Sequence, residues 1–397
     1  MPKIYPFKAL RPTADKIGKV TAKSTDYPKK EDLIAEIRSN PISFHHVTKS
    51  HLSFSGAYQE PEKFLPFAAQ FIVKLKEDGV LLKEEEDSIY VYEQKRPDGR
   101  VFKGLIALCS IDDYRENKIK KHEEIRPSRL KFLVELFKTT KVMGEPTLLA
   151  YSGNVDFMKY KSTELYSFES VDGKKHSVCR ISDKSDIEDL QLQMEKIENF
   201  YIADGHHRSA STQVFNESVN SLSNDSSMCC ILHEDQMEIL PFHRIIKPII
   251  TIGKDDLLDQ LSRKFKIQKS RGPVYEVKEA RTFGMYIQNE WYLLQYINDS
   301  DLLDIEILEE EIVRGVFNIR DSRTDSQITF HAHTSGLDVL KDLVDSEAFN
   351  VAITTKPCHF SEVRKVSDAN NTLPPKSTYI EPKLRSGIII QEFEVKA

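Results

Sequence analysis

The run Phe200-Tyr201-Ile202-Ala203-Asp204-Gly205-His206-His207-Arg208-Ser209 places an acid, a glycine, two histidines and an arginine directly behind an apolar stretch. The apolar residues read as a buried strand, the glycine as a turn, and Ala210 to Phe215 as the body of a helix. A strand that feeds a helix through a glycine turn presents backbone N–H groups and the positive end of the helix dipole to whatever lies above it, which suits a phosphate.

Two further clusters carry complementary chemistry. Lys121, His122, Glu123 and Arg126 fall within the polar run Lys118 to Arg129, at the entrance of a helix marked by Leu130, Leu133, Val134 and Phe137. They supply a base, a proton shuttle and anion binders together. Lys376-Ser377-Thr378 offers a cation and two hydroxyl donors, although Pro374 and Pro375 remove two backbone donors before it. Phosphoryl transfer needs positive charge and a metal on the moving phosphate, an acceptor hydroxyl held in line, and a base for its proton. Gly205, His206, His207, Arg208 and Lys376 are the expected phosphate holders, Asp204 the expected Mg²⁺ ligand or acceptor-positioning acid, and Glu123 the expected base. The competing reading is a metal hydrolase with His206, His207, Asp204 and His243 as ligands. Adjacent histidines rarely reach one ion together, and no H-x-x-x-H or H-E-x-x-H spacing supports it. Neither a G-x-x-x-x-G-K-[ST] loop nor a protein-kinase glycine loop is present.

The elements that must position these groups are legible from periodicity. The first thirty residues read as an extended arm, followed by a helix from Glu31 to Arg38 and a strand-like Ser43-Phe44-His45-His46-Val47. Phe64, Phe67, Phe71, Ile72 and Leu75 recur at helical spacing up to Gly79. Ile89 to Gln94 and Val101 to Cys109 flank Arg96-Pro97-Asp98-Gly99-Arg100, the pattern of a β-hairpin. Strands are predicted at Thr147 to Tyr151 and His176 to Ile181, a helix at Asp186 to Ile197, and a strand at Met228 to His233 beyond a Ser- and Asn-rich loop over Asn216 to Ser227. The pattern changes near Lys247-Pro248, where residues 1–250 are expected to give way to a support lobe over 251–397.

At 397 residues the chain has room for more than one core, and 40% hydrophobic with 30% charged residues is an ordinary globular composition. No apolar run approaches the ~20 residues needed to cross a bilayer, and no signal peptide is recognised, so a cytoplasmic location is expected. A net charge of −6 argues against non-specific nucleic-acid or acidic-lipid binding. The five cysteines lack C-x-x-C spacing and read as buried small hydrophobes.

The segment Asp204-Gly205-His206-His207-Arg208 resembles the phosphate-binding motif of the ParB/sulfiredoxin-like fold in the version carried by free L-serine kinases. Asn40-Pro41-Ile42-Ser43-Phe44, Lys120-Lys121-His122-Glu123, Pro241-Phe242-His243-Arg244, Pro375-Lys376-Ser377-Thr378-Tyr379 and Pro382-Lys383 extend the resemblance to a broad bacterial and archaeal family long catalogued as a domain of unknown function. The resemblance implies an α+β protein with a ParB/sulfiredoxin-like catalytic core in residues 1–250 and a last loop, 370–383, that returns to the active site. It implies phosphorylation of free L-serine to O-phospho-L-serine, feeding cysteine biosynthesis, with ATP, ADP or pyrophosphate and polyphosphate as donors and Mg²⁺ as cofactor. Glu123 then matches the catalytic glutamate, Asp204 the motif acid, and Gly205 to Arg208 the phosphate and substrate binders; His122 and Arg126 are added to the binders on their chemistry alone. Lys376, Ser377 and Thr378 match the C-terminal loop. One departure is Thr48-Lys49-Ser50-His51, which stands where many relatives place Pro-Glu. A non-catalytic nucleotide- or amino-acid-binding regulator would use the same pocket. A partition protein would carry a helix-turn-helix and a sulfiredoxin a motif cysteine, and neither is seen.

Overall fold

The computed structural model describes all residues except 24–29, 54–59, 220–224, 249–251, 334–335 and 395–397. The expected lobe boundary near 250 falls on one of these gaps, as does part of the loop after Asn216. The chain divides into two compact units: Met1–Met237 with Pro382–Ala397, and Glu238–Glu381. The second unit is closed by its own ends, because Glu238–Leu240 pairs antiparallel with Tyr379–Glu381. The last residues, 382–397, therefore belong to the first unit, whereas the sequence pattern had grouped them with the support lobe.

The first unit is built on a nine-stranded sheet. Its strands in chain order are β1 (Ile4–Tyr5), β2 (Ile89–Lys95), β3 (Val101–Ser110), β4 (Ile119–Lys120), β5 (Thr147–Tyr151), β6 (Thr163–Glu169), β7 (Lys175–Ile181), β8 (Phe200–Asp204) and β9 (Ser226–His233). The spatial order is β6-β7-β2-β3-β9-β5-β8-β4, with β1 paired to β3. Only β8 with β4 and β9 with β5 run parallel; the other pairs are antiparallel. The β2–β3 hairpin turns where the Pro-Asp-Gly signal places it: Lys95 faces Val101, and Gly99 takes φ +91°.

Four helices matter to the site: α1 (Pro61–Glu77), α2 (Pro127–Thr140), α3 (Lys184–Met194) and α4 (His206–Val219). Pro127 opens α2, where a missing N–H costs nothing, and Lys141 closes it in the left-handed region at φ +57°. Asp183 caps α3 by accepting from the N–H groups of Ser185 and Asp186. Leu149, Phe200, Ile202, Cys229 and Ile231 bury one face of the sheet against Leu190 and Met194 of α3. Cys109, Cys229 and Cys230 are buried as expected, Cys179 and Cys358 are only partly so, and all five are free thiols.

Two expectations for the N-terminal region need correction. The supposed arm is stitched into the body, with Ile4 opposite Cys109, Leu10–Pro12 paired to Leu81–Lys83, and Ala22–Lys23 paired to Arg385–Ser386. His45 and His46 lie on a helical turn, His45–Thr48, not a strand. The Phe44 N–H donates to the Val20 carbonyl and the Thr48 and Lys49 amides fold back on Phe44 and His45, so local helical bonding overrides the β-favouring side chains. His45 is buried and His46 binds the Asn40 carbonyl at 3.1 Å.

The second unit holds a six-stranded, wholly antiparallel sheet: β10 (Phe242–Ile246), β11 (Phe265–Lys269), β12 (Thr282–Ile287), β13 (Glu290–Tyr296), β14 (Ile328–Ala332) and β15 (Val351–Thr354), in the order β11-β13-β12-β15-β10-β14. Its core gathers Phe265, Phe283, Leu294, Ile312 and Ile353. Trp291, the single tryptophan, is a core residue, its ring tilted against Tyr286 with centroids 4.9 Å apart. The molecule is thus a mixed α+β protein, the class expected from its sequence. No described helix is long and apolar enough to cross a membrane.

Candidate active site

Strand β8 and helix α4 meet at Gly205, as the motif predicts. Gly205 takes φ +98°, a region that favours glycine, and a Cβ there would lie 2.7 to 2.9 Å from the Arg208 guanidinium. Its carbonyl accepts from the Arg208 and Ser209 amides, while the His206 and His207 amides begin the helix and find no acceptor within it.

Arg208 is the hub. Its Nη2 donates to Asp204 Oδ2 at 3.0 Å and its Nη1 to Glu145 Oε1. Its Nε is buried with no hydrogen-bond partner among the described residues. Burial opposes its charge, but Glu145 and Asp204 outweigh this and raise its pKa. Asp204 holds a second cation: Lys383 Nζ donates to Oδ1 at 3.2 Å. Burial works to raise the Asp204 pKa, yet Lys383 and then Arg208 hold the carboxyl well below the usual carboxylate range. Ser386 completes the group by donating to Glu145 Oε2 at 2.9 Å.

The second cluster packs against the first through its histidines. The His122 N–H donates to His206 Nε2 at 3.4 Å, so the remaining proton of a neutral His206 sits on Nδ1, which lies 3.4 Å from Glu123 Oε2. A buried imidazole thereby orients a half-exposed carboxylate. His206 is held neutral chiefly by burial and then by His122, and burial pushes His122 down to about 4. The Arg126 N–H donates to His207 Nε2 at 2.9 Å, leaving Nδ1–H on His207. Burial first, then Arg126 and Arg129, lower the His207 pKa to about 4. Lys49 shares this field: burial and Arg129 lower its pKa, and Glu145 opposes them.

The structure thus brings His122, Glu123, Arg126, Asp204, Gly205, His206, His207 and Arg208 into one constellation. Lys121 turns its ammonium onto the Tyr114 ring at 4.6 Å. Lys376, Ser377 and Thr378 belong to the second unit, where Arg244 binds the Lys376 carbonyl at 3.0 Å and Ser377 Oγ donates to the Pro374 carbonyl at 2.6 Å. The sequence reading missed Glu145 and Ser386 altogether and used Lys383 only as a landmark. Glu145 gives no signal, being one acid in an ordinary Gly-Glu-Pro turn; Pro382-Lys383 was the available cue. For the hydrolase reading, His206 has both ring nitrogens engaged, and no group of three or more His, Cys, Asp or Glu side chains is placed to hold a metal among the described residues.

An α+β protein with an Asp-Gly-His-His-Arg strand-to-helix turn is the class this site defines. The chain belongs to the family described as "Protein of unknown function (DUF1015)", whose profile matches residues 4–337. No curated protein matches it. Among solved structures it is similar to a free serine kinase in complex with AMP, at 12% identity over 72% of this chain and 91% of that one, with a TM-score of 0.38. It is also similar to SbnI with a C-terminal truncation from Staphylococcus aureus (14%, 71% and 85%, TM-score 0.40) and to a conserved hypothetical protein from Pyrococcus furiosus (12%, 72% and 95%, TM-score 0.36). Likenesses this distant do not bear on activity.

Proposed function

We propose that the chain is a small-molecule phosphotransferase that moves a phosphoryl group from ATP, ADP or a pyrophosphate-type donor to the hydroxyl of free L-serine. The observation that carries this reading is the convergence on one helix N-terminus of Arg208, Lys383, the first-turn amides and, beside them, a histidine-oriented glutamate. The cations and amides neutralise the charge that spreads over the transferring phosphoryl oxygens. Glu123 takes the proton of the serine hydroxyl as its oxygen bonds to phosphorus and the bond from phosphorus to the leaving phosphate breaks. His206 Nδ1–H fixes the orientation of that carboxylate, and His207 Nδ1–H and Arg126 supply donors to the substrate's own anionic groups.

Asp204 keeps lone pairs beyond the two engaged by Arg208 and Lys383, and one carboxylate plus donor phosphates is a set that Mg²⁺ accepts. The ion would add charge neutralisation on the donor.

Incubation of the protein with L-serine, Mg²⁺ and a panel of ATP, ADP, pyrophosphate and triphosphate should yield O-phosphoserine with at least one donor. Glu123→Gln should abolish it while nearly preserving ligand affinity. Absence of phosphoserine with every donor would overturn the reading, and full turnover in Glu123→Gln would remove Glu123 as base.

A further inference from the structure

The second unit contains a cavity of about 370 Å³ whose lining residues all belong to that unit, between Leu240 and His359. That volume lies in the range of small-ligand pockets, roughly 300 to 1,000 Å³. Leu240, Pro241, Val277 and Pro357 supply apolar wall. The Tyr275 ring joins them, braced edge-on against Trp291 at 5.1 Å and anchored by its hydroxyl on Asp338 at 3.0 Å.

The polar wall is set by a relay that starts in the backbone. The Thr355 N–H donates to Nδ1 of the fully buried His243 at 3.4 Å, so a neutral His243 carries its proton on Nε2. That Nε2–H reaches His333 Nδ1 at 3.2 Å, and His333, which lines the cavity, is left with Nε2–H as its remaining polar group. Burial pushes the His243 pKa down to about 3, in keeping with the neutral tautomer. Two cations line the same space. Lys356 is mostly buried, 3.5 Å from Asp304 Oδ2, and Lys278 is exposed. Glu276 is the one acid in the lining and is itself exposed. A fixed donor and two lysines opposite apolar and aromatic walls match an occupant with an anionic end and an apolar body.

We propose that this cavity binds a small organic anion, a carboxylate or phosphate carried on an apolar or aromatic body. The site stands on the second unit's own residues and does not depend on the phosphotransferase reading. Ligand-observed saturation-transfer NMR on the full chain tests it with benzoate and phenyl phosphate, against benzyl alcohol and inorganic phosphate, each of which carries one half of the chemistry. Benzoate or phenyl phosphate should bind better than either half, and the stronger of the two identifies the anionic group. Val277→Trp should abolish binding by filling the cavity. Lys278→Glu, a change at an exposed position, should weaken it about tenfold or more with an unchanged melting temperature. Failure of both aromatic anions to bind, equal binding by benzyl alcohol, or undiminished binding in Lys278→Glu would overturn the proposal. Undiminished binding in a folded Val277→Trp protein would do the same.

Discussion

Two arginines each follow a histidine, the partly buried Arg208 and the fully buried Arg244, and they are used in opposite ways. Arg208 is paired with carboxylates, Glu145 and Asp204. Arg244 is spent on backbone: it donates to the Phe242 carbonyl at 2.7 Å, the Lys376 carbonyl at 3.0 Å and the Pro375 carbonyl at 3.2 Å, with its guanidinium 4.8 Å from the Phe330 ring centroid. The electrostatics follow. Carboxylates outweigh burial and raise the Arg208 pKa, whereas burial wins at Arg244 and lowers it to about 10, with Glu309 opposing. A His-Arg pair is therefore not a site by itself. What distinguishes the two arginines is their partners: carboxylates for Arg208, loop and strand carbonyls for Arg244.

The largest expected break in this comparison is Arg244→Met. It strips the Phe242, Pro375 and Lys376 carbonyls of a buried donor, so denaturant unfolding should show a loss of about 3 kcal/mol. Arg208→Lys comes next. A lysine cannot span Glu145 and Asp204 as a planar fork does, and phosphoserine formation should fall by about 10²–10³-fold, with little change in melting temperature. A matching loss of stability instead would make Arg208 structural like Arg244. Lys383→Met should be milder, about tenfold in turnover, because Arg208 still holds Asp204; an unchanged rate would reduce Lys383 to a brace for the C-terminal segment.

The smallest effect per step is with pH. His122 and His207 have folded pKa values of about 4, below the ordinary 6.5, because burial disfavours their charged form. Between these limits the unfolded chain binds protons that the folded chain refuses. Stability should therefore fall as pH drops from about 6.5 to about 4, by up to about 1.4 kcal/mol per pH unit for each histidine, and level off below. Denaturation curves at pH 7.5, 6, 5 and 4.5 measure the slope, and His207→Gln should flatten it. A slope unchanged by that substitution would assign it to other buried histidines.

Local patterns were legible where one interaction range decides them. The Pro-Asp-Gly hairpin, the helix ending at Gly79, and the strand-glycine-helix turn at Asp204 to Arg208 all depend on backbone preference and on side chains a few residues apart. The region over Ser43 to Val47 was misread because β-favouring residues were there overruled by bonds to Val20 and within the turn itself. The compact second unit was only half legible: the pattern changes near its start, but its limits are set by Glu238–Leu240 pairing with Tyr379–Glu381, a contact across 140 residues that leaves no local trace.

Within the candidate site the same division holds. Residue types and spacing alone determined that Asp204 to Arg208 would form a strand-to-helix turn with a glycine at its corner. Only the tertiary structure decided that His206 orients Glu123, that Glu145 and Ser386 hold Arg208, and that Lys383 from the far end of the chain sits on Asp204. The physical reason is that backbone conformation follows from near neighbours, whereas charge compensation in a partly buried site takes its partners from wherever the fold delivers them.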